Sequence, residues 1–116
     1  MEIEITPLIL TFNEAPNIGR TLEKLSWARE IVLIDSGSDD RTFDIARSAH
    51  RNVRVIRRSF DSFAGQCNFG LTQITTEWVL SMDADYVLTP KLIGEIQRLT
   101  PPPDVAGYSV RFHYCI

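Results

Sequence analysis

Two aspartates separated by one residue, Asp83 and Asp85, are the side chains of this sequence best suited to holding a metal ion. They follow the largely apolar run 78–82, which is typical of a buried strand, and alternate side chains of a strand point the same way. Carboxylates suit Mg²⁺ or Mn²⁺, which proteins often bind through one or two acids together with substrate phosphates. The pattern therefore predicts a divalent-cation site, and a pair of acids in a solvated turn is the alternative.

A third carboxylate, Asp35, ends the continuous apolar run 31–34. Acids in this position of nucleotide-binding α/β folds accept hydrogen bonds from a ribose or a base. A helix-entry or Asx-turn role is an equally good interpretation of Asp35, and it is the better one for Asp39 and Asp40. The residues alone leave both roles of Asp35 open.

Other polar residues follow the first and third apolar runs. Asn13 and Glu14 precede the first predicted helix, where capping is the ordinary role of an asparagine. Arg57 and Arg58 could contact a phosphate, but a solvated pair at a strand end is the more common arrangement. Weaker candidates near the third predicted helix are Asp61, Gln66 and Asn68.

The elements that must position these residues alternate along the chain. Strands are predicted over 7–12, 31–34, 53–56 and 78–82, and helical spacing of apolar residues follows each of them. A further strand is predicted over 106–114 from alternating apolar residues. Continuous apolar strands with helical crossovers predict an α/β fold, with a mostly parallel sheet and helices on both faces.

In such a sheet the carboxyl ends of the strands share one edge, and ligands bind outside it. Each of the four loops expected at this edge carries an acid. Like charges gathered closely are costly unless a cation or hydrogen-bond donors compensate them. We therefore expect a strongly negative site that a divalent metal neutralises.

The composition is that of an ordinary domain, with 116 residues, 12 basic and 15 acidic side chains and a net charge of −3. No basic excess points to nucleic acid, so we expect no nucleic-acid partner. No apolar run approaches the ~20 residues that span a bilayer, and the acidic start is unlike a secretory signal. Cys67 and Cys115 have no metal-type spacing, which favours reduced thiols. We expect one domain over 1–116 in the cytoplasm, with peripheral association at the inner face of the membrane left open.

Four groups of these residues, in order over about 5–98, resemble the nucleotide-sugar half of glycosyltransferase family 2. They are Thr11-Phe12-Asn13-Glu14 with Asn17-Ile18, Ile34-Asp35-Ser36-Gly37-Ser38-Asp39-Asp40-Arg41-Thr42, Gln66 with Asn68, and Met82-Asp83-Ala84-Asp85. Within the family, the surroundings of Trp27, Asp35, Gln66 and Trp78 are most similar to bacterial transferases that extend the lipopolysaccharide core.

The resemblance implies a GT-A fold and inverting transfer from a nucleoside-diphosphate sugar to a glycan or lipid-linked acceptor. It implies nucleotide-sugar contacts for Thr11, Asn13, Glu14, Asp35, Gln66, Asn68 and Asp83, with the turn 11–14 and Asp35 at the base and ribose. Asp83 would lie by the ribose or donor sugar, and Asp85 would bind the Mg²⁺ or Mn²⁺ that bridges the diphosphate. The metal would offset charge that develops on the leaving diphosphate, while a carboxylate base assists the acceptor hydroxyl.

The sequence departs from the family in three ways. Cys67 stands where relatives usually have Lys or Arg, and Tyr86 stands where the most similar subgroup often has an acid. Family members also continue further, so we expect a chain that stops before the acceptor-binding part, and we name no catalytic base. An apolar surface around Phe112 and Tyr114 would then be exposed and could pair two copies of the chain.

Two alternatives use the same strand-end acids. A receiver-type module would hold Mg²⁺ with Asp35 and neighbouring acids, but it needs a lysine on a fifth parallel strand, and none is convincing. A nucleotidyltransferase needs a glycine-rich and basic phosphate loop near the first strand, which 13–16 does not supply.

Overall fold

The structure of this chain is a computed structural model that describes residues 4–49 and 51–109. Strands and helices alternate along it in the order β1 (Ile5–Thr11), α1 (Ala15–Glu23), β2 (Ile31–Asp35), α2 (Thr42–Ala49), β3 (Val53–Arg57), α3 (Phe63–Thr72), β4 (Trp78–Asp83) and α4 (Pro90–Gln97). The predicted alternation of strands and helices is confirmed.

The strands form one sheet in the order β3-β2-β1-β4, and every neighbouring pair is parallel. The chain moves outward from β1 through β2 to β3 and then returns to the other side of β1. A ligand crevice is expected where the strand order reverses in this way, outside the carboxyl ends of β1 and β4. Receiver-type folds have the order 2-1-3-4-5 instead, so this topology contradicts the receiver alternative.

The register of the parallel strands places their carboxyl ends side by side. Thr11 lies opposite Asp35, Asp35 lies opposite Arg57, and Leu10 lies opposite Asp83. All five residues of β2 are buried, as expected for an inner strand covered on both faces.

Helices cover both faces of the sheet. On one face, α1, α2 and α4 pack Ile18, Leu22, Ala46 and Ile96 against the strand residues Ile9, Leu33 and Met82. On the other face, α3 covers Leu8, Val32 and Ile34, and the free thiol of Cys67 packs there. Each fully buried Leu or Ile stabilises the fold by about 1.5–3 kcal/mol, so the loops at the carboxyl edge extend from a rigid base.

Two helices begin at a residue whose side-chain hydroxyl caps them. The Thr89 hydroxyl accepts the Leu92 N–H at 3.2 Å ahead of Pro90, and the Ser62 hydroxyl accepts the Gly65 N–H at 2.9 Å. Side-chain oxygens at these positions satisfy donors that a helix cannot pair internally.

Within the described residues, the last predicted strand does not form. Residues 106–109 have no regular secondary structure, and 110–114 lie outside the described residues, as do Phe112, Tyr114 and Cys115. The ring of Tyr108 contacts that of Trp78 at 5.8 Å between centroids, so this segment passes beside β4. None of the helices in the described residues has the length and apolar character that a membrane crossing demands.

Candidate functional site

The loops after β1 and β2 form a single hydrogen-bonded unit at the carboxyl edge. The Asn13 N–H donates to Ser38 Oγ at 2.8 Å, and Asn13 Oδ1 accepts the Asp39 N–H at 3.0 Å. Asn13 has a φ of 52°, a left-handed conformation that asparagine tolerates better than most residues. The expectation that Asn13 caps α1 is wrong, because its side chain binds the neighbouring loop instead.

Asp40, in the loop after β2, caps the start of α1. Its Oδ2 accepts the Ala15 N–H at 3.2 Å, and its Oδ1 accepts the Thr42 N–H at 2.9 Å. The hydroxyl of Thr42 also donates to Asp40, and this bond lowers the pKa of the Asp40 carboxyl from its ordinary value. The helix-entry role expected for Asp40 is confirmed. Glu14, by contrast, accepts from Asn17 Nδ2 at 2.9 Å and makes no side-chain cap.

Asp35 is fully buried and holds its own loop together. Its Oδ2 accepts the N–H groups of Gly37 at 3.1 Å and Ser38 at 2.9 Å, and its Oδ1 accepts the Ser38 hydroxyl at 2.6 Å. Arg57 Nε lies 3.6 Å from Oδ2 and balances the charge. The Asx-turn interpretation of Asp35 is therefore confirmed, and its direct contact with a base or ribose stays a prediction.

The two arginines at the end of β3, Arg57 and Arg58, both form ion pairs. Arg58 Nη1 and Nη2 each lie 3.2 Å from an oxygen of Asp61, and this hydrogen bonding lowers the pKa of the Asp61 carboxyl. The Arg57 guanidinium lies 4.2 Å from the centroid of the Phe43 ring, in addition to its contact with Asp35. Internal donors thus compensate Asp35, Asp40 and Asp61, three of the acids for which the sequence alone suggested a metal.

In the loop after β4, neither acid has such a partner among the described residues. Asp83 and Asp85 are exposed and alternate with the buried Met82 and Ala84. The Ala84 carbonyl accepts the buried Thr21 hydroxyl at 2.8 Å, which holds the backbone between the two acids against α1. Within the described residues, neither carboxylate forms a hydrogen bond or an ion pair.

This donor set fits Mg²⁺ or Mn²⁺ in the form that nucleotide enzymes use. Two exposed carboxylates supply hard oxygens and leave the remaining coordination positions to water and phosphate. Three acidic, histidine or cysteine side chains do not cluster as a metal cage anywhere in 4–49 or 51–109. A metal at Asp83 and Asp85 therefore depends on oxygens that a phosphate-bearing ligand brings.

An aromatic pocket of about 390 Å³ opens beside the end of β1. It is lined by Leu10, Thr11, Phe12, Ser36, Phe60, Phe63 and Gln66. Phe12, Phe60 and Phe63 are 54%, 58% and 67% exposed, which is unusual for three neighbouring phenylalanines in a folded domain. Pockets with apolar walls and a few polar groups are typical of small-molecule sites. Sequence reasoning missed Phe60, which lies in the loop after β3, and Phe63, which is the first residue of α3.

Polar groups at this pocket are nearly all satisfied within the protein. Gln66 is fully buried, and its amide Nε2 donates to Ser36 Oγ at 3.0 Å and to the Arg58 carbonyl at 2.8 Å. Gln66 Oε1 accepts from Arg58 Nη1 at 2.7 Å. Thr11 is buried, and its hydroxyl has no hydrogen-bond partner among the described residues.

The structure brings most of the predicted site residues to one edge. Thr11, Asn13, Glu14, Asp35 and Gln66 lie in or beside the linked loops, and Asp83 lies across from β1. Asn68 is exposed on α3 and does not line the aromatic pocket. A second cavity of about 460 Å³ lies at the opposite edge of the sheet and includes none of the predicted site residues.

The model of the family described as Glycosyl transferase family 2 matches residues 8–115. The chain belongs to glycosyltransferase family 2. An uncharacterised glycosyltransferase of Rickettsia bellii is 34% identical over 97 residues, covering 83% of this chain and 32% of the relative. The lipopolysaccharide core biosynthesis glycosyltransferase LpsC of Rhizobium meliloti is 30% identical over 113 residues, covering 94% of this chain and 42% of LpsC.

Solved structures share the fold of this family 2 domain. S. aureus TarS 1–349 superposes with a TM-score of 0.70 at 22% identity, over 80% of this chain and 31% of TarS 1–349. The same TarS region in complex with UDP-GlcNAc gives a TM-score of 0.67 at 23% identity, over 80% of this chain and 30% of that one. The chain thus has a GT-A fold and spans about a third to two fifths of the curated relatives' length.

Proposed function

We propose that this chain is the donor-binding part of an inverting glycosyltransferase that takes a nucleoside-diphosphate sugar and Mg²⁺ or Mn²⁺. The observation that carries the proposal is that an aromatic pocket and two carboxylates lie at the same edge of the sheet, where β1 ends. An exposed aromatic pocket lies beside β1, and Asp83 and Asp85, whose carboxylates have no partner among the described residues, lie at the end of the neighbouring strand β4.

The aromatic pocket suits a nucleobase. Phe12, Phe60 and Phe63 offer exposed ring surface, and stacking of a base on an aromatic side chain contributes about 1–3 kcal/mol. The neighbouring turn 11–14 is held in place by the loop after β2, so it can carry the ribose without reorganising. Glu14, whose N–H donates to Thr42 Oγ1 at 2.8 Å, is part of that fixed turn.

The carboxylate pair suits the diphosphate end of the same ligand. Asp85 would hold the metal, and Asp83 would lie by the ribose or donor sugar and share the metal. When bound, the metal supplies charge stabilisation to the departing diphosphate. Arg57 and Arg58 are already paired with Asp35 and Asp61, so among these groups a metal is the better source of positive charge for the phosphates.

Known relatives support the donor and acceptor classes. One TarS structure contains UDP-GlcNAc and another contains UDP. LpsC is named for lipopolysaccharide core biosynthesis, which favours a glycan or lipid-linked acceptor here. We assign no catalytic base to a residue of this chain. A cytoplasmic location and pairing of two copies also stay predictions.

A thermal-shift series tests the donor proposal. The melting temperature is measured with UDP, GDP and dTDP and their sugars, in MgCl₂, in MnCl₂ and in EDTA. Ligand at 100 times its dissociation constant stabilises a protein by about 2.7 kcal/mol, which raises the melting temperature of a domain this size by roughly 10 °C. A folded sample whose melting temperature no nucleotide changes, with or without metal, would contradict the proposal.

A further inference from the structure

Among the described residues that line the aromatic pocket, one partly exposed side chain is free to donate a hydrogen bond to a ligand, and this follows from a hydrogen-bonded series of three residues. Arg58, Gln66 and Ser36 are hydrogen-bonded in series, from the loop after β3 through α3 to the loop after β2. Ser36 and Gln66 both line the pocket.

The direction of each bond in this series is dictated by chemistry. A guanidinium can only donate, so the Gln66 atom that lies 2.7 Å from Arg58 Nη1 must be the carbonyl oxygen Oε1. The other amide atom is then Nε2, which donates to Ser36 Oγ and to the Arg58 carbonyl. An amide nitrogen cannot accept, so Ser36 Oγ must accept and keeps its own proton.

That proton has no acceptor among the described residues, since the one hydrogen bond of Ser36 Oγ is the bond it receives from Gln66. The other polar side chains of the pocket have no free donor that could take the place of the Ser36 hydroxyl. Both donors of the Gln66 amide are used, and the Thr11 hydroxyl is buried beneath the surface. The pocket therefore presents phenylalanine rings and a single oriented hydroxyl donor.

We propose that Ser36 is a specificity-determining residue of the donor site, which selects a nucleobase that carries a carbonyl oxygen. Uracil, thymine, guanine and cytosine have such an acceptor, whereas adenine accepts only at ring nitrogens, which do not project beyond the ring as a carbonyl oxygen does. Gln66 and Arg58 are positioning residues that set the direction of the Ser36 hydroxyl. This inference rests on the proposed function, because it takes the pocket to hold the base of a nucleotide.

The first experiment measures UDP and ADP affinity by calorimetry in MgCl₂ for the wild type, Ser36→Ala and Ser36→Thr. We expect Ser36→Ala to weaken UDP about five- to tenfold, the effect of one neutral hydrogen bond, and to leave ADP unchanged. Ser36→Thr keeps a hydroxyl and should retain UDP binding. Ser36 is partly exposed and its side chain is small, so each variant should fold. Ser36→Thr keeps the acceptor for Gln66 and should melt like the wild type, whereas Ser36→Ala leaves one Gln66 N–H without its acceptor and should melt at a somewhat lower temperature.

The second experiment tests the direction of the series with Gln66→Glu. One oxygen of the new carboxylate can pair with Arg58. The other oxygen faces Ser36 and accepts a hydrogen bond from its hydroxyl, which is then no longer free to donate to a ligand. UDP affinity should therefore fall as far as in Ser36→Ala, and adding Ser36→Ala to Gln66→Glu should cause no further loss. Gln97→Glu, an exposed position on α4, is the matched control and should bind UDP normally.

The outcomes separate the two proposals. A folded wild type that binds no nucleotide contradicts the proposed function, and the inference with it. Wild-type binding that Ser36→Ala leaves unchanged overturns the inference alone. Equal losses of UDP and ADP affinity, or additive losses in the double variant, would mean that Ser36 only packs the loop, and they also overturn the inference.

Discussion

The hydroxyl of Thr42 accepts the backbone N–H of Glu14 at 2.8 Å, and this one bond joins the start of α2 to the turn after β1. The same hydroxyl donates to Asp40, whose carboxylate also receives the Ala15 N–H. A fully buried threonine thus determines how two loops of the candidate donor site lie against each other.

Thr42→Val should lower the free energy of unfolding by about 1–3 kcal/mol. The variant keeps the shape of the side chain but leaves the Glu14 N–H without its acceptor, and an unpaired buried donor costs this much. Urea denaturation followed by circular dichroism measures the change. Thr100→Val is the control, because Thr100 is exposed and forms no hydrogen bond with the described residues. Equal stability of Thr42→Val and the wild type would show that the Thr42 hydroxyl does not hold the loops.

Acid should destabilise the fold through Asp40 and Asp61. Hydrogen bonds from Thr42 and Arg58 lower the folded-state pKa of these carboxyls below their ordinary value of 3.8. The unfolded state therefore binds protons first as the pH falls, so both contributions are present at neutral pH and decline as the pH drops below about 5. Urea midpoints between pH 7 and pH 3 measure the slope, which should be smaller in Thr42→Val than in the wild type. An unchanged slope in that variant would contradict the role given to Thr42.

Gly70→Ala should destabilise the chain by about 1–3 kcal/mol, the usual cost of overpacking a core. A Cβ at Gly70 would lie 2.6 Å from Leu8 Cδ1, so the buried Leu8 side chain or α3 itself would have to shift. Gly107→Ala is the control, since a Cβ there meets no atom within 4 Å. Replacing Leu8 by Ala should make the Gly70 substitution less costly, which a double-mutant cycle of unfolding free energies detects. Strictly additive losses would mean that the two positions are not in contact.

Asp85→Asn should abolish the metal-dependent part of nucleotide binding and leave the melting temperature of the free protein nearly unchanged. The carboxylate has no hydrogen-bond or ion-pair partner among the described residues, so the substitution breaks no such bond there, and it relieves repulsion from Asp83. Calorimetry with UDP in MgCl₂ and in EDTA measures the difference. Asp104→Asn removes an exposed acid outside the site and should bind like the wild type. Unchanged metal-dependent affinity in Asp85→Asn would exclude Asp85 as a ligand.

Phe63→Ala should weaken UDP binding by about tenfold, in line with the 1–3 kcal/mol of one stacked base. Because Phe63 is 67% exposed, the unfolding free energy should change little. Leu71→Ala is the matched control: Leu71 is 44% exposed on the same helix and does not line the pocket. Equal UDP affinities of Phe63→Ala and the wild type would remove Phe63 from the base site.

Much of the fold could be predicted because local patterns report it directly. Period-2 and helical spacings of apolar residues depend only on which face of an element is buried, so the four strands and four helices were predictable. The first four strands end where polar residues interrupt these runs, and that is why the candidate site was assigned to one edge of a parallel sheet. The last strand was not confirmed, because alternation over 106–114 does not indicate whether a neighbouring strand is there to pair with it.

Side-chain partners could not be predicted, because they depend on distances between residues far apart in the chain. Four acid-bearing loops suggested one negative site, yet Asp35, Asp40 and Asp61 are each held by donors from their own or an adjacent loop. Asp83 and Asp85 form the one pair of strand-end acids in which neither carboxylate has a partner among the described residues, although Asp39 in the loop after β2 also has none. The sequence by itself determined the sheet, the edge and the acids, through hydrophobic periodicity and position after each strand. Tertiary structure alone decided which acids are available to a metal, and which hydroxyl faces the pocket with its proton free.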